Sequence, residues 1–513
     1  MVLPPFLIPR HTSPDLFAII PFGDYPETGE EGPLLTSTDT EMTMKIAPAT
    51  LNSAAAMKPE KKLHATTSDE ILTELGLLNT HAVFIMLSMG FLWFLSAMPT
   101  MSPAYLAPPT ESLENSSFLS VQEEFDLRRS LVDPAELTSS VYFLGNLVLG
   151  QMYCMAADRI GRRPVLVWSL IVSGLAGAAA AIAPNFYLML LGRFIQGSFF
   201  NSITMVNWVL CCESIAFKGH SYASVIFGVF WVAGYCIITP IARLFPSWRA
   251  LQFMTSLPTL LFGILMLAIL PESFGFLIAK KKHKSAEVWI KRAQKWGGRK
   301  FDCDVVKTIE NETARVPEEK TLAESLRHVV HDPKLVLYMA IQTVLWVVDF
   351  MIYNALSLTS TDVMEGDSDT SFLFSGLVEL PCYFLMPIAL EWLGRRPTVI
   401  LSHVLSAAAL GTMCFLSAAL HPSIYMVVWL VAKFGMASAF MCCFVYGSEI
   451  FPVQYRNICL GFCATISNIG AMMSPHCSLL DHVFHGLMFA VFAGLCAVCA
   501  FLTSFLPETK HSH

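Results

Sequence analysis

Two acidic residues lie inside long apolar stretches of this sequence. Glu379 stands two residues before Pro381, and Asp349 stands four residues before Tyr353. A carboxylate inside a membrane is costly and normally faces a polar cavity, and a proline opens a helix locally because it cannot donate a backbone hydrogen bond. The four-residue spacing places Asp349 and Tyr353 on one helical face. We predict a polar cavity within a membrane that binds a small cation or a proton. The alternative for either acid is a structural, hydrogen-bonded or protonated carboxyl.

A second set of charged residues occurs twice along the chain. Residues 158–164 read Asp-Arg-Ile-Gly-Arg-Arg-Pro, residues 391–397 read Glu-Trp-Leu-Gly-Arg-Arg-Pro, and a further acid follows each loop at a similar distance. Salt bridges that form in one of two states can bias a conformational equilibrium. We predict a charged gate made of Asp158, Arg162, Arg163, Glu213, Glu391, Arg395, Arg396 and Glu449. The alternative is that these arginines only extend to the membrane interface.

The elements that would position these residues are membrane-spanning helices. The chain has 513 residues, of which 54% are hydrophobic and 14% are charged, so most of its surface must face lipid. The repeated loops predict one six-helix unit present twice, a plan that places a transporter's site between its halves. We therefore predict an all-α membrane protein with twelve transmembrane helices in two pseudo-symmetric six-helix halves. The predicted spans lie near residues 81–100, 136–157, 163–183, 186–212, 219–242, 250–270, 335–359, 371–392, 397–419, 423–448, 457–478 and 483–506.

The remaining segments complete the predicted domain organisation. Thr67-Ser68-Asp69-Glu70 is typical of a capping box and would begin a short interfacial helix. The central loop is rich in lysine and arginine and would form short amphipathic helices near anionic lipid. The predicted units are a disordered tail at 1–66, an N-terminal half at 67–270, the central loop at 271–334, a C-terminal half at 335–506, and a tail at 507–513.

The distribution of basic residues predicts the orientation of the chain. Lysine and arginine concentrate in the central loop and in the loops on the same side as the two Gly-Arg-Arg-Pro sequences. Because basic loops stay in the cytosol, we predict that this side and both termini are cytosolic. The loop at 101–135 would then be external, and its Asn115-Ser116-Ser117 sequence predicts glycosylation of Asn115. Asn311-Glu312-Thr313 lies in the cytosolic loop and should stay unmodified.

Several classes of function are disfavoured by composition. The net charge is −7 and no basic domain is evident, so nucleic acid is not an expected partner. The 14 cysteines are mostly scattered in apolar runs without metal-ligand spacing, and we interpret them as small core residues. We find neither a phosphate-binding loop of the Walker type nor a catalytic nucleophile arrangement. We therefore expect no enzyme, no cofactor and no metal.

Four further motifs carry a family resemblance. They are Asp-Glu-Ile-Leu at 69–72, Trp-Arg-Ala-Leu-Gln-Phe at 248–253, Leu-Val-Glu-Leu-Pro at 377–381 and Ser-Glu-Ile-Phe-Pro at 448–452. With the two Gly-Arg-Arg-Pro loops, they make the chain resemble the major facilitator superfamily, and within it a divergent member of the organic cation, anion and carnitine transporters. The likeness covers about residues 68–510. It implies a monomeric plasma-membrane transporter of small organic ions that works by alternating access, with possible coupling to protons or sodium.

The resemblance also implies roles for individual residues. Glu379 matches an acidic position of the cation branch, Tyr353 matches a substrate-contact tyrosine, and Trp208 replaces a cavity tyrosine. Asn468 is neutral where cation transporters carry aspartate and anion or carnitine transporters carry arginine, and Asn201 is lysine in some cation members. Substrate charge therefore stays open: two ionised acids would favour cations or zwitterions, and a protonated acid would couple transport to pH. We expect Lys433 to pair with a carboxylate or with backbone carbonyls rather than to contact the substrate.

Two alternatives to organic-ion transport stay open. A sugar porter belongs to the same superfamily, but span seven reads Ile-Gln-Thr-Val-Leu-Trp at 341–346 and lacks the paired glutamines of that family. A receptor or vesicle protein on a transporter scaffold is the alternative from another class. The repeated gate charges and the acids within spans favour transport over it.

Overall fold

A computed structural model describes residues 61–63, 67–77, 79–106, 119–127, 134–297, 299–315, 329–363, 368–416, 421–452, 455–484 and 486–510. The predicted tail up to residue 60 and the sequon at Asn115 lie outside these residues. Within them, eight helical segments are long and apolar enough to cross a membrane, and Leu487–Thr503 is a shorter apolar helix.

The first half contains the short helix that the sequence predicts at the membrane interface and the first group of spans. Thr67 caps α1, because its side chain accepts a hydrogen bond from the Glu70 N–H as the sequence predicts. The helices of this half are α1 (Ser68–Leu75), α2 (Thr80–Met101), α3 (Pro103–Leu106), α4 (Val121–Glu124), α5 (Pro134–Gly145), α6 (Gln151–Ile160), α7 (Arg162–Ala181), α8 (Phe186–Ser198), α9 (Asn207–Cys212), α10 (His220–Cys236), α11 (Ile238–Leu244) and α12 (Trp248–Ile269).

Two spans of this half contain a wide helical turn that the sequence analysis did not predict. The π-helical segment Asn146–Gly150 joins α5 to α6, and Ser202–Val206 joins α8 to α9. Such turns occur mostly as single insertions in α-helices and often at functional sites. Each lies beside a buried asparagine, Asn146 in the first and Asn201 before the second.

The central segment and the second half follow. A short parallel pair, β1 (Lys61–Leu63) with β2 (Phe301–Cys303), ties the chain before α1 to the central segment. The remaining helices are α13 (Phe274–Ala279), α14 (His283–Lys295), α15 (Val305–Arg315), α16 (Pro333–Leu358), α17 (Ser368–Leu377), α18 (Leu380–Leu393), α19 (Arg395–Met413), α20 (Pro422–Ile450), α21 (Arg456–Met473), α22 (Leu479–Val483) and α23 (Leu487–Thr503).

The two halves repeat the same packing. In the first half α2 packs along α10 and α7 packs along α12; in the second half α16 packs along α21 and α19 packs along α23. The halves meet where α5 packs on α21 and where α10 packs on α17 and α18. We call the end of the bundle that holds the two Gly-Arg-Arg-Pro loops the basic end, and the other the opposite end. The seam between the halves positions the candidate site.

Candidate functional site

Glu379 lies at a break in the eighth span, between α17 and α18, as Pro381 predicts. Its side chain is buried. One carboxylate oxygen, Oε1, lies 3.1 Å from Lys433 Nζ, and the other accepts a hydrogen bond from Tyr353 Oη at 3.0 Å. Trp231 of α10 donates from Nε1 to Tyr353 Oη at 3.0 Å. Residues of both halves therefore meet around this carboxylate.

Lys433 supplies the counter-charge of Glu379, and the prediction that it pairs with a carboxylate or backbone carbonyls is confirmed. Its ammonium donates to Tyr353 O at 3.2 Å and to Ser357 Oγ, and it lies 3.8 Å from the centre of the Tyr353 ring. In the first half, Arg193 occurs in the matching helix and donates to Pro99 O at 3.0 Å. A buried ion pair of this kind is neutral overall, so this part of the seam is not acidic.

Asp349 is held by His403 and not by the groups that contact Tyr353. Its Oδ1 lies 2.8 Å from His403 Nε2, and His403 Nδ1 lies 2.8 Å from Val399 O; both side chains are fully buried. Asp349 and Tyr353 are one helical turn apart, but Asp349 faces α19 within the second half. The structure therefore does not bring Asp349 together with Glu379.

A chain of aromatic rings connects Trp208 to the cluster of Glu379, Lys433, Tyr353 and Trp231, which we call the Glu379 cluster. Its ring centre lies 5.5 Å from that of Phe227, Phe227 lies 6.1 Å from Trp93, and Trp93 lies 5.8 Å from Trp231. Trp231 then contacts Tyr353 through the hydrogen bond described above. Trp93 and Phe227 were not predicted, because single aromatic residues in an apolar stretch do not indicate which of them lie next to one another.

Asn468 takes part in a neutral contact between the halves. Asn146 Nδ2 donates to Asn468 Oδ1 at 2.6 Å and to Asn201 Oδ1 at 3.2 Å, and the Asn201 N–H donates to Asn146 Oδ1 at 3.1 Å. We call these three residues the asparagine triad. Asn146 was not predicted, although it lies in the span that faces Asn468.

The predicted gate residues of the first half form a buried cluster at the basic end. Arg162 Nη2 lies 2.9 Å from Glu213 Oε1 and 3.3 Å from Asp158 Oδ1, and Ser273 Oγ also donates to Glu213. Arg163 instead donates from Nη2 to Leu267 O at 2.7 Å. All of these contacts lie within the first half and the start of the central segment, so they fix the helices of that half and do not bridge the seam in this conformation.

The second half repeats the cluster with one difference. Arg395 Nε and Nη2 each lie 2.8 Å from an oxygen of Glu449, and Thr509 Oγ1 donates to Glu449 Oε2 at 2.6 Å. Arg396 contributes its backbone N–H, which donates to Glu508 Oε2 at 3.1 Å. Glu391 is exposed, and among the described residues no ion pair joins it to Arg395. The structure therefore does not give Glu391 the role that Asp158 has.

Two further acids, which were not predicted as gate residues, each hold one of the two Gly-Arg-Arg-Pro loops. Glu272 Oε1 accepts the backbone N–H groups of Arg162 and Arg163 at 3.0 Å each. Glu508 accepts those of Arg395 and Arg396 at 3.0 and 3.1 Å. Burial raises the pKa of Glu508, but hydrogen bonds from four backbone N–H groups outweigh it and hold the pKa below its ordinary value. The repeated Pro-Glu-Ser and Pro-Glu-Thr sequences at 271–273 and 507–509 were the available signal.

Polar contacts join the halves at the opposite end. Glu136 accepts a hydrogen bond from Ser478 Oγ at 2.6 Å, and its Oε2 lies 2.9 Å from His476 Nδ1. Asp369 accepts from Tyr105 Oη at 2.9 Å and pairs with Arg243. These pairs link α5, α3 and α11 of the first half to the second half. They hold the opposite end together in this conformation.

Another ion pair at the opposite end lies within the first half. Glu124 accepts hydrogen bonds from Arg249 and, at 2.6 Å, from Trp248 Nε1. The hydrogen bond from the Arg249 guanidinium outweighs burial and lowers the pKa of Glu124.

Comparisons with known proteins agree with this architecture. A model of the Major Facilitator Superfamily matches residues 82–475. The putative transporter B0252.3 of Caenorhabditis elegans is 32% identical over 87% of this chain and 89% of its own length. Solute carrier family 22 member 3 of Mus musculus is 28% identical over 76% of this chain and 69% of its own. Organic cation transporter 1 of C. elegans is 27% identical over 77% and 68%.

Solved structures show the same fold. The inward open conformation of the xylose transporter XylE from E. coli aligns with a TM-score of 0.65 at 18% identity, over 84% of this chain and 97% of XylE. Its partially occluded inward open conformation aligns with a TM-score of 0.63. The predicted fold of two six-helix halves is thereby confirmed. The chain belongs to the major facilitator superfamily, whose members are membrane transporters and not enzymes.

Proposed function

We propose that this transporter carries small organic cations or zwitterions, and that Glu379 and Lys433 bind them at the seam. The position of the Lys433 ammonium is the observation that supports this most directly, 3.1 Å from Glu379 and 3.8 Å from the centre of the Tyr353 ring. A carboxylate and the face of an aromatic ring both attract an organic ammonium group. Lys433 therefore occupies a position in which a substrate cation would be stabilised.

The neutral ion pair determines how a substrate would bind. A cationic substrate would compete with Lys433 for Glu379, and a zwitterion would satisfy both partners, with its ammonium on Glu379 and its carboxylate on Lys433. The rings of Trp208, Phe227 and Trp93 offer further contacts for a cation between the basic end and this pair. Asn468 would contribute a neutral polar group at another position along the seam.

Transport would proceed by alternate opening of the two ends around this pair. The Glu136 and Asp369 contacts would separate when the opposite end opens. The clusters around Arg162 and Arg395 would then hold the basic end closed while the opposite end is open. A coupling proton would be held by Glu379 or by the Asp349–His403 pair. Coupling to sodium is the alternative, and replacing sodium in the uptake buffer distinguishes the two.

The basic end would face the cytosol, with the protein a monomer in the plasma membrane. Lysine and arginine concentrate at that end and in the central segment, which supports this orientation. Asn115 would then be external and glycosylated, and Asn311 would not. Loss of a glycan-dependent mass shift in Asn115→Gln, and its persistence in Asn311→Gln, would support this orientation; the reverse result would contradict it.

Uptake measured in cells that express the chain tests the substrate class. The panel contains a labelled quaternary ammonium compound, a carnitine-like zwitterion, an organic anion and a hexose. We expect saturable uptake of the first two, a loss of at least about tenfold for both in Glu379→Gln, and a larger loss for the zwitterion than for the cation in Lys433→Met. Glu310→Gln, which removes an exposed acid of α15 outside the predicted gate, is the control, and rates are divided by the amount of protein at the cell surface.

Three outcomes would refute the proposal. Uptake of hexose alone would favour the sugar porter, and uptake of none of the compounds would favour a non-transporting receptor. Unchanged cation uptake in Glu379→Gln would remove this carboxylate from the site. Asp349→Asn should leave substrate preference unchanged, because Asp349 faces His403 and not the Glu379 cluster.

A further inference from the structure

A basic cavity lies at the basic end, outside the seam between the halves. It has a volume of about 510 Å³ and lies between the end of α12 and the central helix α14. Four basic side chains line it, those of Arg163, Lys282, Lys284 and Arg292, together with one acid, Glu272. We propose that this cavity binds the anionic headgroup of a phospholipid. The proposal is independent of the transported substrate.

The side chains that line the cavity carry more positive than negative charge. Glu272 is engaged by the backbone N–H groups of Arg162, Arg163 and Ser273, all on Oε1 at 3.0 Å. Within the described residues, no carboxylate forms an ion pair with any of the four basic side chains of the cavity. A phosphate group is the anion that such a cluster of guanidinium and ammonium groups binds.

The two arginines are held in place by the protein itself. Arg292 Nη2 donates to Ile269 O at 2.8 Å, and Arg163 Nη2 donates to Leu267 O at 2.7 Å. These carbonyls belong to the last turn of α12, where they have no partner within the helix. Arg292 also stacks over the Trp296 ring, 5.1 Å from its centre. Among the described residues, each guanidinium donates a hydrogen bond through Nη2 alone, so its other N–H groups are available to a ligand.

The surroundings of the cavity favour a lipid over a soluble phosphate. Ile264, Leu265 and Leu267 lie on the last turns of α12 and are about half exposed, at 51%, 50% and 46%. Val288 of α14 is 65% exposed at the edge of the cavity. In a membrane this apolar surface faces acyl chains, so a phospholipid could lie along α12 with its headgroup in the cavity. A headgroup with several phosphates would match the charge best.

Binding of short-chain lipids to the purified full chain in neutral detergent tests this proposal. The probes are dioctanoyl phosphatidylinositol phosphate, dioctanoyl phosphatidylserine, dioctanoyl phosphatidylcholine and the soluble inositol bisphosphate headgroup. We expect the inositol lipid to bind most tightly and to raise Tm, phosphatidylserine to bind more weakly, and phosphatidylcholine to give no saturable shift. Each basic residue removed should weaken binding about fivefold.

A matched pair of variants separates a built site from general attraction to a basic surface. Lys282→Gln/Lys284→Gln removes two charges from the cavity and should raise the Kd about 25-fold. Lys291→Gln/Lys295→Gln removes two exposed charges from the same helix outside the cavity and should change it less than about twofold. All four lysines are exposed or lie at the surface, and Tm without lipid verifies that each variant is folded. Arg292→Lys, which keeps the charge but loses the anchored guanidinium, should weaken binding as well.

Three results would overturn the proposal. Equal losses in the two double variants would show attraction without a site. Equal binding of phosphatidylcholine would show that charge is not recognised. Binding of soluble inositol bisphosphate as tight as that of the inositol lipid would assign the cavity to a free phosphate compound.

Discussion

The ion pair between Glu379 and Lys433 allows a quantitative test of the site. Both side chains are buried, with exposed side-chain fractions of 2% and 0%. Removing one partner of a buried pair leaves an uncompensated charge and costs about 3–5 kcal/mol, whereas replacing both with uncharged groups of similar size is often close to neutral. We therefore expect Glu379→Gln and Lys433→Met each to lose about 3–5 kcal/mol, and the double variant to recover most of that loss.

Thermal unfolding of the four purified proteins in the same detergent measures this cycle. The coupling free energy is the difference between the double variant and the sum of the two single variants. With the loss per charge given above, it should exceed about 3 kcal/mol. Lys433 also loses its contacts with Tyr353 and Ser357 when it is replaced, so the two single losses need not be equal.

The double variant also separates stability from function. It should fold and reach the cell surface, but it should not take up cations, because it lacks the carboxylate that binds them. Additive losses, with a coupling below about 0.5 kcal/mol, would refute the reasoning that the two charges compensate each other. Wild-type uptake in the double variant would refute the binding role.

Three further predictions concern the two ends of the bundle. Arg162→Ala should slow uptake but retain surface expression, because its charge orders the basic end without contacting the proposed substrate site; uptake at the wild-type rate would contradict this. Gly161→Ala should cost about 1–3 kcal/mol, since Gly161 has φ +130° and an added Cβ would lie 2.5 Å from Glu272 Oε2. Gly494→Ala, where an added Cβ meets nothing within 4 Å, should not lower Tm, because alanine is at least as favourable as glycine inside a helix. Glu124→Gln should lower Tm at pH 7, and the difference in Tm from the wild type should shrink as pH falls below 4.5. A carboxylate with a lowered pKa stabilises the fold above its ordinary pKa and loses that effect on protonation. A difference in Tm that is constant with pH would contradict this.

The sequence was sufficient to predict the fold because its signals are repeated and local. Long apolar stretches predict the spans, and two copies of one charged loop predict their division into two matching halves. The break at Glu379 was predictable for the same reason, since Pro381 acts on its own helix. The two wide turns beside Asn146 and Asn201 were not predicted, because a π-helical turn depends on contacts across the bundle that apolar periodicity does not encode.

The partners of the charged residues were harder to predict. Helical spacing correctly places Asp349 one turn from Tyr353, but it does not identify which neighbouring helix each side chain faces. His403 gave no signal as a single histidine in an apolar stretch. His476 and Glu136 are separated by 340 residues in sequence, so only the packing of the two halves brings them together.

The asparagine triad has a consequence for the electrical behaviour of the transport cycle. A full charge that crosses a membrane potential of 100 mV gains or loses about 2.3 kcal/mol. The contact of Asn146 with Asn468 carries no formal charge, so its rupture and re-formation move no current through the field. This contact therefore adds nothing to a voltage dependence of transport, which would have to come from charged groups such as the substrate, a coupling ion or the buried lysine and glutamate.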